Sequence, residues 1–319
     1  MTVAEILNNN IQQGHTAFSF EVLPPLKGAG IEKVFDTIER LKEFDPAYIN
    51  ITTHRMDVAY REIEPGLFRR VAERKRPGTV AIAAAIKHKY GIPTVPHVIC
   101  SGFSQDEIEY ELIDLAFLGI RNLLVLRGDK GKMDSRFIPT QGGHAYALNL
   151  QGQINRFNAG QFLDGSVIEH PRPFSYGVAG YPEKHEEAMN PEFDLAALKM
   201  KVEAGAEYVV TQMFFDNAKY FDFVDRCRRA GITVPIVPGL KPIMTLNHRT
   251  MLPRTFHIDL PEALAAELNK CEDDAAARRV GIEWCTAQAR ELKAAGVPSI
   301  HFYSMNAVQS VAEIARNVY

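Results

Sequence analysis

The hydrophobic rhythm of the chain switches eight times between two periods. Short runs rich in β-branched and aromatic residues, at 17–23, 48–52, 95–100, 122–126, 175–179, 208–213, 235–238 and 299–303, read as buried parallel strands. Longer runs with helical spacing separate them. Eight strands with intervening helices predict a (β/α)8 barrel, an α/β fold built as one domain. The chain length of 319 residues suits one such barrel carrying insertions. A doubly wound sheet is the alternative. Against it, no Gly-x-Gly-x-x-Gly follows any strand; the nearest match, Gly28-Ala29-Gly30, lacks the third glycine, and there is no Walker A sequence.

Local signals place the helices. Ser104-Gln105-Asp106-Glu107 is a capping box ahead of Ile108, Leu112 and Leu115, and Gly119 ends that run. Asn190-Pro191 pairs an N-cap residue with a proline preset for the first turn; Leu195, Leu198 and Val202 form the buried stripe and Gly205 closes it. Asp216 starts a helix with Phe223, Val224 and Cys227 inward. Asn306 is expected to cap the last helix, whose apolar face is Val308, Val311, Ile314 and Val318. Two segments read as insertions. The first, 53–78, carries seven Lys/Arg against four Asp/Glu and is expected to form a solvated extra helix and loop. The second, 157–173, reads as a flap or surface loop. Between them 79–90 is alanine-rich and favours helix, with Gly91 as its stop.

Composition excludes several classes of function. A 46% hydrophobic, 24% charged chain is globular, and a net charge of −3 offers no electrostatic case for nucleic acid or an anionic membrane. No apolar run is long enough to span a bilayer, and the N-terminus lacks the pattern of a signal peptide. The four cysteines contain no Cys-x-x-Cys pair, so they read as free thiols of a cytoplasmic protein without a metal site.

In a barrel, chemistry sits at the C-terminal ends of the strands. Those ends carry Glu21, Thr52-Thr53-His54, His97, Arg127-Gly128-Asp129, Tyr181 through His185, Gln212, Pro238-Gly239 and Tyr303-Ser304. Each residue alone has a structural explanation. The recurrence of polar side chains where a packed core wants Val or Leu points to a shared mouth. Two carboxylates, Glu21 and Asp129, suit divided acid and charge roles. A Glu21 walled by Phe20, Val22 and Leu23 would have its acidity weakened by desolvation, as a general acid needs. Arg127, Lys201, His185 and Gln212 suit an anionic, planar, hydrogen-bonding ligand.

The stretches FSFEVLPP, PHVICSGFSQDEI, GIRNLLVLRGD, VAGYPEKHEEA, LKMKVEAGAEYVVTQMFFD, VPIVPGLKPI and IHFYSMN resemble, in family order and over nearly the whole chain, the bacterial-type methylenetetrahydrofolate reductases. That resemblance implies a barrel with FAD at its mouth. It also implies reduction of 5,10-methylenetetrahydrofolate to 5-methyltetrahydrofolate with NADH or NADPH, in one-carbon and methionine metabolism. By resemblance Glu21 is the general acid that protonates the bridging nitrogen of the folate and opens its ring to an iminium. Asp129 lies above the flavin and contacts the pterin, Gln212 orients folate or nicotinamide, and Tyr303 stands near the same ligands. Thr52, Thr53, His97, Arg127, Gly128, Asp129, Tyr146, Ala179, Tyr181, His185, Asp194 and Lys201 fall on the family's FAD-contact positions. The chain departs from the family pattern at Thr53-His54, where Tyr-Gly is frequent, at Leu246, where an aromatic is usual, and at Ala307, where an arginine is usual. The last two positions belong to nicotinamide or folate contacts in the family. By the same resemblance the regulatory domain of eukaryotic members is absent, and a homo-oligomer is expected. The competing readings are a flavin-free folate reductase of the same fold and a non-catalytic barrel subunit that binds folate or flavin.

Overall fold

Helix α1 (Val3–Gln13) decides which end of the molecule is open. Thr2 and Glu5 cap it reciprocally, and Gly14 ends it in the left-handed conformation that glycine adopts without steric penalty. Its apolar face, Val3, Ala4 and Leu7, packs with Tyr48, Val95, Leu124, Tyr208, Val210 and Val237 in one buried cluster. Burying a side chain such as Leu7 contributes about 1.5–3 kcal/mol, so the helix is a firmly seated plug. Two polar bonds fix its angle: Val3 N–H donates to Asn122 Oδ1 at 2.8 Å, and Asn10 Nδ2 donates to the Pro298 carbonyl at 3.0 Å.

The computed structural model describes residues 1–131, 134–305 and 307–319, with Ala72 through its backbone alone. After α1 come β1 (Ala17–Val22), α2 (Glu32–Leu41), β2 (Tyr48–Ile51), β3 (Asp57–Glu64), β4 (Leu67–Glu73), α3 (Thr79–Tyr90), β5 (Thr94–Ile99), α4 (Gln105–Phe117), β6 (Asn122–Leu126) and α5 (Ala147–Asn158). The second half holds β7 (Ser175–Gly180), α6 (Pro191–Glu203), β8 (Tyr208–Met213), α7 (Asn217–Arg229), β9 (Ile236–Leu240), α8 (His248–Phe256), α9 (Glu262–Asn269), α10 (Asp274–Ala294), β10 (Ser299–Phe302) and α11 (Val308–Val318). Eight of these strands close a parallel barrel in the order β1-β10-β9-β8-β7-β6-β5-β2. The eight strands and the caps at Ser104, Asn190 and Asp216 stand where the sequence places them, with strand ends shifted by up to two residues. The proposed cap at Asn306 lies outside the described residues.

The basic insertion differs from its reading. It is a β-hairpin, β3 against β4, pairing from Asp57 with Glu73 through Glu64 with Leu67. Its charges are solvated as expected, but the segment alternates with period two, and Pro65-Gly66 makes the turn, with Gly66 at φ +79°. Tyr60 and Phe68 stand exposed on it. The 157–173 segment is a surface loop, except that Phe157 is buried in α5; the bridge between Gln161 and Val167 folds it back on itself. The chain between β9 and β10, where the barrel pattern implies one helix without a local signal to place it, forms three: α8, α9 and α10. These pack Leu252, Leu264, Leu268 and Ala277 on Met213 and Phe215.

Candidate active site at the barrel mouth

With α1 filling the N-terminal end, the polar strand ends face the opposite opening. Glu21 is the deepest charged group there, only 2% exposed. It sits on β1 opposite Asn50 of β2. Its sequence neighbours Phe20 and Val22 do not wall it in, contrary to the reading from sequence. Strand alternation turns them outward into the main core under the helices, while Glu21 turns inward. The barrel interior therefore does the desolvating. Burial pushes the Glu21 carboxyl up to about 7, partly opposed by the positive charge of Lys241. Glu21 Oε1 has no hydrogen-bond partner, and neither does either polar atom of the Asn50 amide, His97 Nε2 or His301 Nε2.

These four residues come from β10, β1, β2 and β5, which are consecutive around the ring. Burial drives both His97 and His301 down to about 3, so both rings are neutral at physiological pH. His301 is oriented through Nδ1, 3.1 Å from Ser19 Oγ, and its ring is parallel to Tyr48. Tyr303 donates to the Thr211 carbonyl at 2.6 Å. Its ring passes over Gly239, where a Cβ would come within 2.6 Å of the ring edge, so the glycine is required by close approach. Burial and the nearby Glu21 charge raise the Tyr303 phenol far above its usual range, keeping it neutral.

The other half of the mouth is built mostly from partnered charges, with Glu183 Oε1 left unpartnered. Arg127, just past β6, makes a bidentate pair with Glu187 at 2.5 and 3.0 Å and lies 4.7 Å from the centre of the Phe137 ring. Gly128 has φ +79°, and a Cβ there would lie 2.9 Å from Ser101 Cβ; the chain needs glycine to make the turn that leads to Asp129. Ser101 Oγ anchors the Asp129 carbonyl at 2.6 Å. Lys201 of α6 donates to the Ala179 carbonyl at 3.0 Å, and desolvation lowers its ammonium to about 8. The His185 N–H donates to Asp194 Oδ2 at 3.1 Å, and Tyr181 meets the His185 ring edge-on at 4.8 Å between centres. The loop between them holds Lys184 at φ +112°, a sparsely populated backbone conformation for a side-chain-bearing residue.

Thr52 and Thr53 close the β2 end. Thr52 N–H donates to the Val22 carbonyl at 3.1 Å, and the Thr53 hydroxyl donates to the His97 carbonyl. Gln212, half-buried at the end of β8, accepts from the Met213 N–H at 2.9 Å. Tyr146 is not drawn in: it is 63% exposed and caps α5 only through its backbone position. Leu246 and Ala307 are packing residues, the first against the α8–α10 cluster and the second 1% exposed in the core. Lys241 and Asn50 were missed as site residues. Lys241 was legible, because it follows the β9 strand end and no barrel core accepts a lysine. Asn50 is polar within an otherwise apolar strand and carried the same signal.

Among the described residues no group of His, Cys, Asp and Glu is arranged to hold a metal ion, and no helix is long and apolar enough to cross a membrane. The fold and site together define a (β/α)8 barrel whose C-terminal mouth has one wall of buried, unpartnered polar groups and one wall of mostly paired charges. The family model for methylenetetrahydrofolate reductase matches residues 6–319, and the chain belongs to that family. It is 30% identical to 5,10-methylenetetrahydrofolate reductase of Escherichia coli, covering 92% of this chain and 88% of the relative. It is 32% identical to methylenetetrahydrofolate reductase (NADH) 1 of Arabidopsis thaliana over its full length, and spans about half the length of that protein, 51%. Among solved structures, an uncharacterized protein from Clostridium thermocellum that binds two copies of 5-methyl-5,6,7,8-tetrahydrofolic acid superposes with a TM-score of 0.59 at 16% identity. The match covers 98% of each chain and shows the shared fold.

Proposed function

We propose that this chain reduces 5,10-methylenetetrahydrofolate to 5-methyltetrahydrofolate, with FAD held at the barrel mouth and NADH or NADPH as electron donor. The observation that carries the reading is Glu21. It is a carboxyl group with an unpartnered oxygen, buried in the barrel mouth of a chain in the methylenetetrahydrofolate reductase family, and protonated over an appreciable fraction of molecules near neutrality.

The residues present fit FAD. His97 Nε2 is a buried polar atom lacking a partner, which a flavin ring's heteroatoms would satisfy. Arg127 and Lys201 provide two cations on the opposite wall, and the Lys201 ammonium spends one N–H on Ala179, leaving two for a diphosphate or ribityl chain. Gly128 presents backbone without a side chain, and Thr52, Thr53, Tyr181, His185 and Asp194 line the remaining rim. Bound FAD would supply hydride transfer between nicotinamide and folate.

The protein's own part is acid chemistry and positioning. Glu21 delivers its proton to the bridging nitrogen of the folate, breaking its O–H bond as the N–H bond forms, so that the leaving nitrogen departs neutral. Asn50, opposite it on β2, and His301 of β10 present unpartnered hydrogen-bonding atoms in the barrel interior, and Gln212 at the end of β8 and Asp129 beyond β6 would contact the folate. The neutral state of His97 and His301 matters, because an imidazolium in the same barrel interior would favour the Glu21 carboxylate and weaken the acid.

The test is spectroscopic. Purified protein should show flavin absorption and release FAD on denaturation; a nicotinamide should bleach those bands, and methylenetetrahydrofolate should restore them. Protein that stays colourless in excess FAD overturns the cofactor assignment. Bleached protein that methylenetetrahydrofolate fails to reoxidise overturns the substrate.

A further inference from the structure

Glu21 has an unassigned companion. Strand register puts Ser19 opposite His301 and Phe20 opposite Phe302, and on the other side of β10 it puts His301 opposite Gly239 and Phe302 opposite Leu240. The next step along all three strands is Glu21, Tyr303 and Lys241, and the Tyr303 N–H continues the ladder to the Leu240 carbonyl at 2.9 Å. Phe20, Phe302 and Leu240 are fully buried in the core under the helices, so alternation turns Glu21, Tyr303 and Lys241 to the interior at one height. Lys241 is 7% exposed. No hydrogen bond or ion pair within 4 Å joins its ammonium to another described residue. Glu21 is the one anion whose charge reaches it.

A buried ammonium without a contact partner is costly, and it persists where the charge is used. Resting on the proposed reaction, we propose that Lys241 is a positioning residue: its ammonium supports the carboxylate that Glu21 becomes when its proton passes to the substrate nitrogen, and it thereby sets the pH range over which Glu21 is an acid. The step is balanced. The Glu21 O–H bond breaks, its electron pair stays on oxygen, the proton forms the new N–H bond, and water reprotonates Glu21 after product leaves. Without Lys241 the new carboxylate faces an apolar and neutral wall.

The other titratable groups around the pair do not duplicate this role. Tyr303, His97 and His301 are held neutral by burial. His248 of α8, near Lys241, is lowered by burial and by that same ammonium, with Asp274 of α10 pulling the other way. Among the described residues, Glu21 is raised by burial and lowered only by Lys241.

The experiment is infrared titration of the protonated carboxyl band, taken as a difference against Glu21→Gln, which needs neither flavin nor turnover. Lys241→Met should move the Glu21 midpoint to higher pH by about one unit, at the lower end for an opposite charge beyond contact distance. Lys241→Arg should restore most of that shift. In turnover, the high-pH limb of folate-dependent flavin reoxidation should move upward by the same amount in Lys241→Met, while reduction of the flavin by nicotinamide keeps its pH profile. If Lys241→Met does not fold, the coupling is read in reverse. In Glu21→Gln the Lys241 ammonium, followed by NMR of ¹⁵N-labelled lysine, should titrate lower by a similar amount, as linkage requires. An unmoved Glu21 midpoint, an equal shift in Lys241→Arg, or a Glu21 shift that the reoxidation limb does not follow would overturn the proposal. Colourless wild-type protein with the infrared coupling intact would instead overturn the flavin reading and leave the pair standing.

Discussion

The two walls of the mouth solve opposite problems. On the β10–β1–β2–β5 arc, Glu21, Asn50, His97 and His301 are buried and leave polar atoms unpartnered. On the β6–β7 arc, Arg127, Lys201, His185 and Asp194 are partly exposed and hydrogen-bonded: Arg127 to Glu187, Lys201 to the Ala179 carbonyl, and Asp194 to the His185 N–H. A wall with satisfied charges loses little when a large anionic ligand arrives, and it can be tuned by small movements of long side chains. A wall of starved polar groups is expensive to maintain. It shifts a carboxyl up to about 7 and holds two imidazoles neutral well below the pH at which water would protonate them. The first arrangement suits holding a ligand, the second suits moving a proton.

The sharpest way to break this comparison is Glu21→Gln, which removes the acid and leaves both walls standing. Folate-dependent reoxidation of the flavin should fall by about 10²–10⁴, the usual contribution of a general acid. Reduction by nicotinamide should stay near normal. Stopped-flow absorbance of the two half-reactions decides between this and general damage, which would slow both. In wild-type protein the folate half-reaction should decline as pH rises through about 7, because the folded Glu21 carboxyl is raised to that value and the acid is lost above it. A flat profile from pH 6 to 9 would remove Glu21 from the rate-limiting proton transfer.

On the charged wall the expected losses are smaller and fall on binding. Lys201→Ala should weaken FAD retention by about 1.5–3 kcal/mol, roughly one to two decades in affinity, through loss of a charge-assisted hydrogen bond. Equilibrium dialysis of FAD measures it, and an unchanged affinity would make the lysine a tether for β7 only. Glu187→Ala should matter least. Its pair with Arg127 is bidentate, but the Glu187 side chain is 45% exposed, so stability should change by only about 0–1 kcal/mol in a melting experiment. A large loss there would mean that the two walls are not as different as their burial indicates.

The sequence by itself determined the ring of eight strands, the caps at Ser104, Asn190 and Asp216, and most of the residues at the mouth. These follow from periodicity and from side chains acting on their own backbone within a few residues. It also pointed to Glu21, because a carboxylate at a strand end is an anomaly that a packed core does not tolerate. Tertiary structure alone decided the rest. The hairpin at 57–73 was written in period-two alternation around Pro65-Gly66, yet its density of charge imitated a solvated helix until strand pairing separated the two. Helices α8, α9 and α10 depend on a surface that Met213 and Phe215 at the end of β8 and Ile243 beyond β9 offer only once the barrel is closed. The desolvation of Glu21 does not come from Phe20 and Val22, its neighbours in the chain, which face the other way. It comes from residues on other strands that closure brings round it, with Lys241, more than two hundred residues distant in sequence, as its countercharge among the described residues. A residue type is local information, but the dielectric around it belongs to the assembled fold, so sequence could single out the carboxyl and only the closed barrel could raise its pKa.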